Sequence, residues 1–307
     1  MSVVLSHETA FRVYVKYRYL AQGMRCPLPE AQAFLLSDLS KLQNELGLCN
    51  EQTHLLATTH NQERTIPSNC PIHYCKVLGG LPAFIRLNNA YVACPELTFV
   101  QMAATMSFVD ALLFGFYLCG DYRSAEQRFS SGELPLSTVE RLEAFIGALP
   151  NINGVKTARK SLRYLANNSN SYQESRLAIM LLLPARMGGF GIETPHLNMP
   201  VPGTSRKGDL CWPEHKLILE YDSRLHHENE DRQTKDSVRF VQLGLEDYRV
   251  ISVHSEQVQN LAHLNELGGL VSRLTGKRSR ATSQKYLQTH YALWQQLFKK
   301  DSPKLQA

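Results

Sequence analysis

Gly208-Asp-Leu-Cys-Trp-Pro-Glu-His-Lys-Leu-Ile-Leu-Glu-Tyr-Asp222 reads as two short strands joined by a tight turn. Period-two alternation puts Asp209 and Cys211 on one face of the first strand, with Leu210 and Trp212 on the other. In the second strand Ile218, Glu220 and Asp222 share a face, and Leu217, Leu219 and Tyr221 share the opposite one. A turn over Pro213-Glu214-His215 lays the strands antiparallel, so Asp209, Glu220 and Asp222 converge at one end of a sheet. Carboxylates that close repel and raise one another's pKa unless a cation sits among them. A ligand set made of oxygen alone points to Mg²⁺ or Mn²⁺ rather than zinc.

The flanks supply the rest of a module. Upstream, a helix over 173–183 carries Glu174 in its first turn, where the helix dipole by itself favours an acid. Downstream come His226 and His227 in a polar loop, a helix over 234–246, a strand over 249–253 and a helix over 260–274. Asp236 and Arg239 sit one turn apart on the 234–246 helix. Such a pair is either a surface ion pair or a means for Arg239 to reach a phosphate held by the metal. This order predicts an α/β module with a small mixed sheet flanked by helices, spanning 150–276.

Before it, residues 1–130 read as a mostly helical α+β accessory domain. Ser6 caps a first helix, and Pro29-Glu30 opens a second that runs to Leu46. Residues 51–76 suggest short strands and loops, and 83–87 with 91–94 form a hairpin around Asn88-Asn89. A single apolar helix is expected from Pro95 to Cys119, with a Ser-rich linker over 121–135 and helices over 137–149 and 156–166. Residues 277–307 form a basic tail whose Leu287, His290, Tyr291, Trp294, Leu297 and Phe298 make one apolar side of a helix, best read as docked on the module.

Charge sharpens the division. The 307 residues carry 33 Lys+Arg against 28 Asp+Glu, a net of +5. From residue 277 onward there are seven basic side chains and one acid, so the tail holds +6 and the body is near neutral. General coating of nucleic acid by the whole surface is therefore excluded, and any attraction for DNA falls to the tail, with Lys277, Arg278 and Arg280 foremost. No apolar run approaches the ~20 residues that cross a bilayer. The start of the chain lacks the basic and apolar regions of a signal peptide. Of the seven scattered cysteines, at 26, 49, 70, 75, 94, 119 and 211, only Cys70 and Cys75 are close, and no second pair sits at metal-ligand spacing. Zinc is therefore not expected, and a reduced, cytoplasmic setting is. A homodimer, or a protein partner on the first domain, is open to such a chain.

Glu174, Asp209 in "GDLCWP", Glu220-x-Asp222 in "KLILEYDSRLHH" and "DSVRFVQLGLEDYRVISV" together resemble the PD-(D/E)xK, restriction-endonuclease-like superfamily, closest to its very-short-patch-repair-like branch. The resemblance covers about residues 155–275. Segments "SHETA" at 6–10, "VACPELTFVQMA" at 92–103 and "YLCGDY" at 117–122 are similar to stretches that precede the module in abortive-infection antitoxin-type bacterial proteins. The winged helix common at the start of those relatives is not seen before Ser6.

The resemblance implies a metal-dependent DNA endonuclease serving host defence or repair. Asp209 and Glu220 would hold the ion, and Glu174 would support it. The family's terminal Lys is replaced by Asp222, and Ser223 replaces the usual Gly, so His227 or His226 is expected to supply the missing acid/base group. The same departures leave open a catalytically degenerate regulator that binds nucleic acid or a protein. Other motifs fall away: Gly188-Gly189-Phe190-Gly191 lacks the Lys-Ser/Thr of a P-loop, and no Gly-x-Ser-x-Gly elbow exists.

Overall fold

Strand β1 (Val3–Leu5) is paired on both sides, running parallel to one neighbour and antiparallel to the other, and a six-stranded sheet grows from it. This computed structural model describes residues 3–27, 36–48, 52–57, 70–75, 78, 80–88, 90–122, 134–201, 207–222, 248–277 and 283–299. They fall into two units, 3–118 with 134–163 and 119–122 with 164–299.

In the first unit β1 leads through Ser6 into helix α1 (His7–Lys16). After β2 (Arg25–Cys26) and α2 (Leu36–Leu46) come β3 (Leu55–Ala57), β4 (Ile72–Tyr74), β5 (Phe84–Leu87) and β6 (Ala90–Ala93). The sheet order is β2-β5-β6-β1-β3-β4. The expected hairpin at Asn88 is β5–β6, with Asn88 at φ 51.

The single helix predicted over Pro95–Cys119 is two: α3 (Pro95–Met102) and α4 (Phe108–Leu118). Ser107 divides them, because its hydroxyl accepts from the Asp110 N–H at 3.1 Å and donates to the Asp110 carboxylate at 2.7 Å, which caps a new helix. Both helices are apolar almost all round and fill the core, where Phe11 meets Phe114 edge to face at 5.0 Å. The buried Glu96 is matched by Arg25 and Arg141, each at 3.2 Å, and by the Ser137 hydroxyl.

Helices α5 (Val139–Ala148) and α6 (Val155–Leu162) complete this unit. Gly154, at φ 87, lets the start of α6 approach the Val100 carbonyl of α3 more closely than any side chain would allow. Residues 150–163 therefore pack with the first unit, whereas the sequence grouped them with the second.

The second unit opens on α7 (Tyr172–Leu182), capped by the Ser171 hydroxyl on the Glu174 N–H. Strands β7 (His196–Pro200), β8 (Lys207–Trp212), β9 (Leu217–Asp222) and β10 (Arg249–His254) form a mixed sheet in the order β10-β9-β8-β7. The pairs β7–β8 and β8–β9 are antiparallel, and β9–β10 is parallel. Helices α8 (Ser255–Gln259), α9 (Leu261–Leu274) and α10 (Gln284–Trp294) follow. The architecture is thus mixed α/β in both units. Among the described residues no helix is long and apolar enough to cross a membrane.

The tail helix α10 is docked within the second unit. His290 bonds the Gly188 carbonyl and the Asn265 side chain, each at 2.7 Å, and the Trp294 indole donates to the Val258 carbonyl at 2.9 Å. A Cβ at Gly188 would strike the Thr289 backbone. Its φ of 90 and missing side chain are what allow the helix to sit there.

Candidate active site

Antiparallel pairing fixes the relation of the two principal acids. Leu210 faces Leu219, Cys211 faces Ile218 and Trp212 faces Leu217; the pairing ends there, and Asp209 and Glu220 are the next residues beyond it on the two strands. The turn between the strands is a short helical turn over Pro213–His215, closed by Lys216 at φ 48. Val201, Cys211, Ile218 and Tyr248 form an apolar cluster on the neighbouring part of these strands.

Asp209 is tied to the edge of the neighbouring strand. Its Oδ2 accepts the Tyr221 backbone N–H at 2.7 Å, which takes the place of a ladder bond. Glu220 is 8% exposed. Asp222, at the end of β9, is exposed.

Glu174 reaches the same end of the sheet from α7 and is also buried. Its Oε1 accepts from the Ser171 hydroxyl at 3.0 Å. Its Oε2 accepts from the Asn170 N–H at 2.9 Å and the Asn198 amide at 2.6 Å. These three donors favour the anion, but burial and the nearby Asp209 charge outweigh them and push the carboxyl up to about 7. Asn198 was not picked out from the sequence. It sits at φ 48 in β7 and ties Glu174 to the Asn168 carbonyl. Burial and then the charge of Asp209 push the Cys211 thiol up to about 12.

A second group missed in the sequence is His254. Parallel pairing of β9 with β10 places it beside Asp222, with Nδ1 4.0 Å from the Asp222 Oδ2. The same histidine lines a cleft of about 840 Å³ together with Ile251, Asn260, His263, Leu267 and Arg273. Ligand sites in α/β sheets favour this carboxyl end of parallel strands.

The structure therefore gathers Glu174, Asp209, Glu220 and Asp222 at one end of the sheet. Lys277 is exposed after α9, with its side chain in reach of Gly191. His226, His227, Asp236, Arg239, Arg278 and Arg280 lie outside the described residues. Among the described residues no three or more His, Cys, Asp or Glu side chains form a group that could hold a metal ion. Asp209 and Glu220 offer oxygen donors only, and the Glu174 carboxyl is raised first by burial and then by the charge of Asp209.

No protein-family model matches the chain, and no curated protein or solved structure matches it.

Proposed function

We propose that the second unit is a restriction-endonuclease-like module that hydrolyses phosphodiester bonds in DNA with Mg²⁺ or Mn²⁺. The observation that carries this reading is that Asp209 and Glu220, on adjacent antiparallel strands, lie just beyond the last paired residues at the sheet end that also receives Glu174, Asp222 and His254. A mixed sheet with helices around it is the setting that the resemblance implies.

In this reading Asp209 and Glu220 hold the ion. When bound, it polarises a phosphoryl oxygen and lowers the pKa of a coordinated water. Every other role belongs to the chain itself. The Tyr221 N–H fixes the orientation of Asp209. Glu174, held by Ser171, Asn170 and Asn198, supports the pair from α7. His254 stands where the strand end lacks the family's lysine, and it carries a proton to the departing oxygen. Exposed Lys207, Lys277 and the basic tail attract the phosphate backbone.

Purified protein incubated with plasmid DNA and Mg²⁺ or Mn²⁺ tests the proposal. Cleavage by the wild type, abolished by Glu220→Ala and by chelation, is the expected result. Equal background cleavage by the two proteins rejects catalysis here. A second reading, a catalytically degenerate regulator that binds nucleic acid or a protein, is favoured by one observation: Asp222, an acid, occupies the position of the expected cation. DNA retention without cleavage, unaffected by Glu220→Ala, supports that reading.

A further inference from the structure

The first unit buries a cation. Arg18 opens a short helical turn, Arg18–Gln22, that follows α1, and Arg18 and Ala21 are the buried residues of that turn. Only 7% of Arg18 is exposed. A side chain that long and charged is seldom buried to this degree unless a group of opposite charge comes with it.

The nearby arginines have such groups. Arg25 donates from Nη1 to the Gly23 carbonyl at 2.7 Å and from Nη2 to both oxygens of Glu96 at 3.2 Å. Arg141 donates from Nη1 to the Gln22 side chain and pairs through Nε with Glu96, each at 3.2 Å. Glu96 is the one buried acid among the described residues of this unit, and two guanidiniums and the Ser137 hydroxyl already converge on it. Arg18 differs from both. Its Nε and Nη2 are fully buried, and neither meets an acceptor among the described residues.

Those two nitrogens belong together. In a guanidinium the Nε–H and one Nη2–H lie side by side on the same edge, the fork that grips two oxygens of a carboxylate or phosphate at once. A buried charged donor left without an acceptor costs more than a neutral one. A water molecule brings one oxygen and no negative charge, so it matches neither the fork nor the cation.

We propose that Arg18 is the centre of an anion-binding site in the first unit, where Nε and Nη2 hold two oxygens of a small oxyanion, a phosphate or a carboxylate. The charge around it favours such a ligand. Gln22, in the same turn, holds Arg141 through its side-chain oxygen and the Pro135 carbonyl through its nitrogen at 2.8 Å. Arg25 and Arg141 outnumber Glu96 by one positive charge, so this network has no acid to spare for Arg18. Tyr19 and Met24 are exposed on either side of the turn, which places the guanidinium close to solvent.

Calorimetric titration of the full chain with inorganic phosphate and, separately, with acetate tests the site, with sodium chloride at matched ionic strength as control. Saturable binding of at least one of the two anions is expected, and it should raise thermal unfolding by roughly 5 °C or more at about a hundred times the dissociation constant. A response to phosphate alone identifies the ligand as a phosphoryl group, and one to acetate alone as a carboxylate. Glu220→Ala, in the other unit, should bind as the wild type does, which separates this site from the nuclease reading. Arg18→Met keeps the length of the stem and removes the charge, so binding should be lost. Arg18→Lys keeps the charge without the fork, and its affinity should fall about tenfold or more even if the methionine variant folds poorly. Wild-type binding no stronger than that of chloride, or affinity unchanged in Arg18→Lys or in folded Arg18→Met, overturns the proposal.

Discussion

His254 Nδ1 stands 4.0 Å from Asp222 Oδ2 where the parallel strands β9 and β10 end together. That is too long for a hydrogen bond and short enough for an ion pair when the imidazole carries a proton. In the proposed nuclease, the end of the sheet that carries Asp209 and Glu220 thus also carries an imidazole. His254→Gln is expected to slow DNA cleavage by roughly 10²–10⁴-fold while leaving the folded structure and DNA retention intact. Unchanged single-turnover cleavage in this variant would remove His254 from the chemistry.

The bond from the Tyr221 N–H to Asp209 separates folding from metal binding. Asp209→Ala deletes the acceptor and leaves a backbone donor without its partner, which lowers stability by about 1–3 kcal/mol. Asp209→Asn keeps an acceptor oxygen at the same place and lacks the charge. Chemical denaturation should find Asp209→Asn closer to wild type than Asp209→Ala. Calorimetry with Mn²⁺ should find both unable to bind at this site. Equal stability losses would show that the hydrogen bond contributes little.

Glu174 sets a pH dependence with a definite sign. Its carboxyl is raised from 4.5 to about 7 by burial and then by Asp209. The folded state therefore binds its proton more tightly than the unfolded chain does. Stability from this group is fully present below pH 4.5 and is lost as the pH rises towards 7, by on the order of 3 kcal/mol without divalent metal. Urea unfolding of Glu174→Gln in the presence of chelator should lack this part of the slope. If both proteins give parallel stability curves between pH 4.5 and 7.5, the carboxyl is not held as described.

Gly188 admits no side chain. Gly188→Ala adds a Cβ against the Thr289 backbone and places alanine at φ 90. Backbone strain alone costs about 1–3 kcal/mol, before the tail helix is displaced. Thermal unfolding should show a drop of several degrees, with greater protease sensitivity in α10. A variant as stable as wild type would place the helix elsewhere in solution.

The second unit was partly legible in the sequence because its strands alternate cleanly. Asp209 to Trp212 and Leu217 to Asp222 sort their side chains by face, and Pro213 marks the turn between them. Strand β7 escaped notice because His196-Leu-Asn-Met-Pro200 is short, ends in proline and contains Asn198 in the left-handed region, so no alternation survives. The break between α3 and α4 was hidden by apolar residues on all sides, although Ser107 with Asp110 three positions on is a cap signal.

His254 looked like an ordinary strand end. Only the parallel register with β9, which no local pattern states, sets it beside Asp222. The contacts among the His7, His54 and His73 rings depend likewise on the order β1-β3-β4, a long-range property of the sheet.

The docking of α10 also orders events in time. Leu293, Trp294 and Leu297 are buried in the second unit, and His290 closes on Gly188 across 102 residues of chain. Synthesis runs from the amino end, and domains fold as units as they emerge. Helices α3 to α6 of the first unit are complete by residue 162. The second unit has no finished core until residue 297 has been made. Through that interval the Gly188 turn stays uncovered by its last helix, so a ribosome stalled between 200 and 297 holds one folded unit and one awaiting its seal.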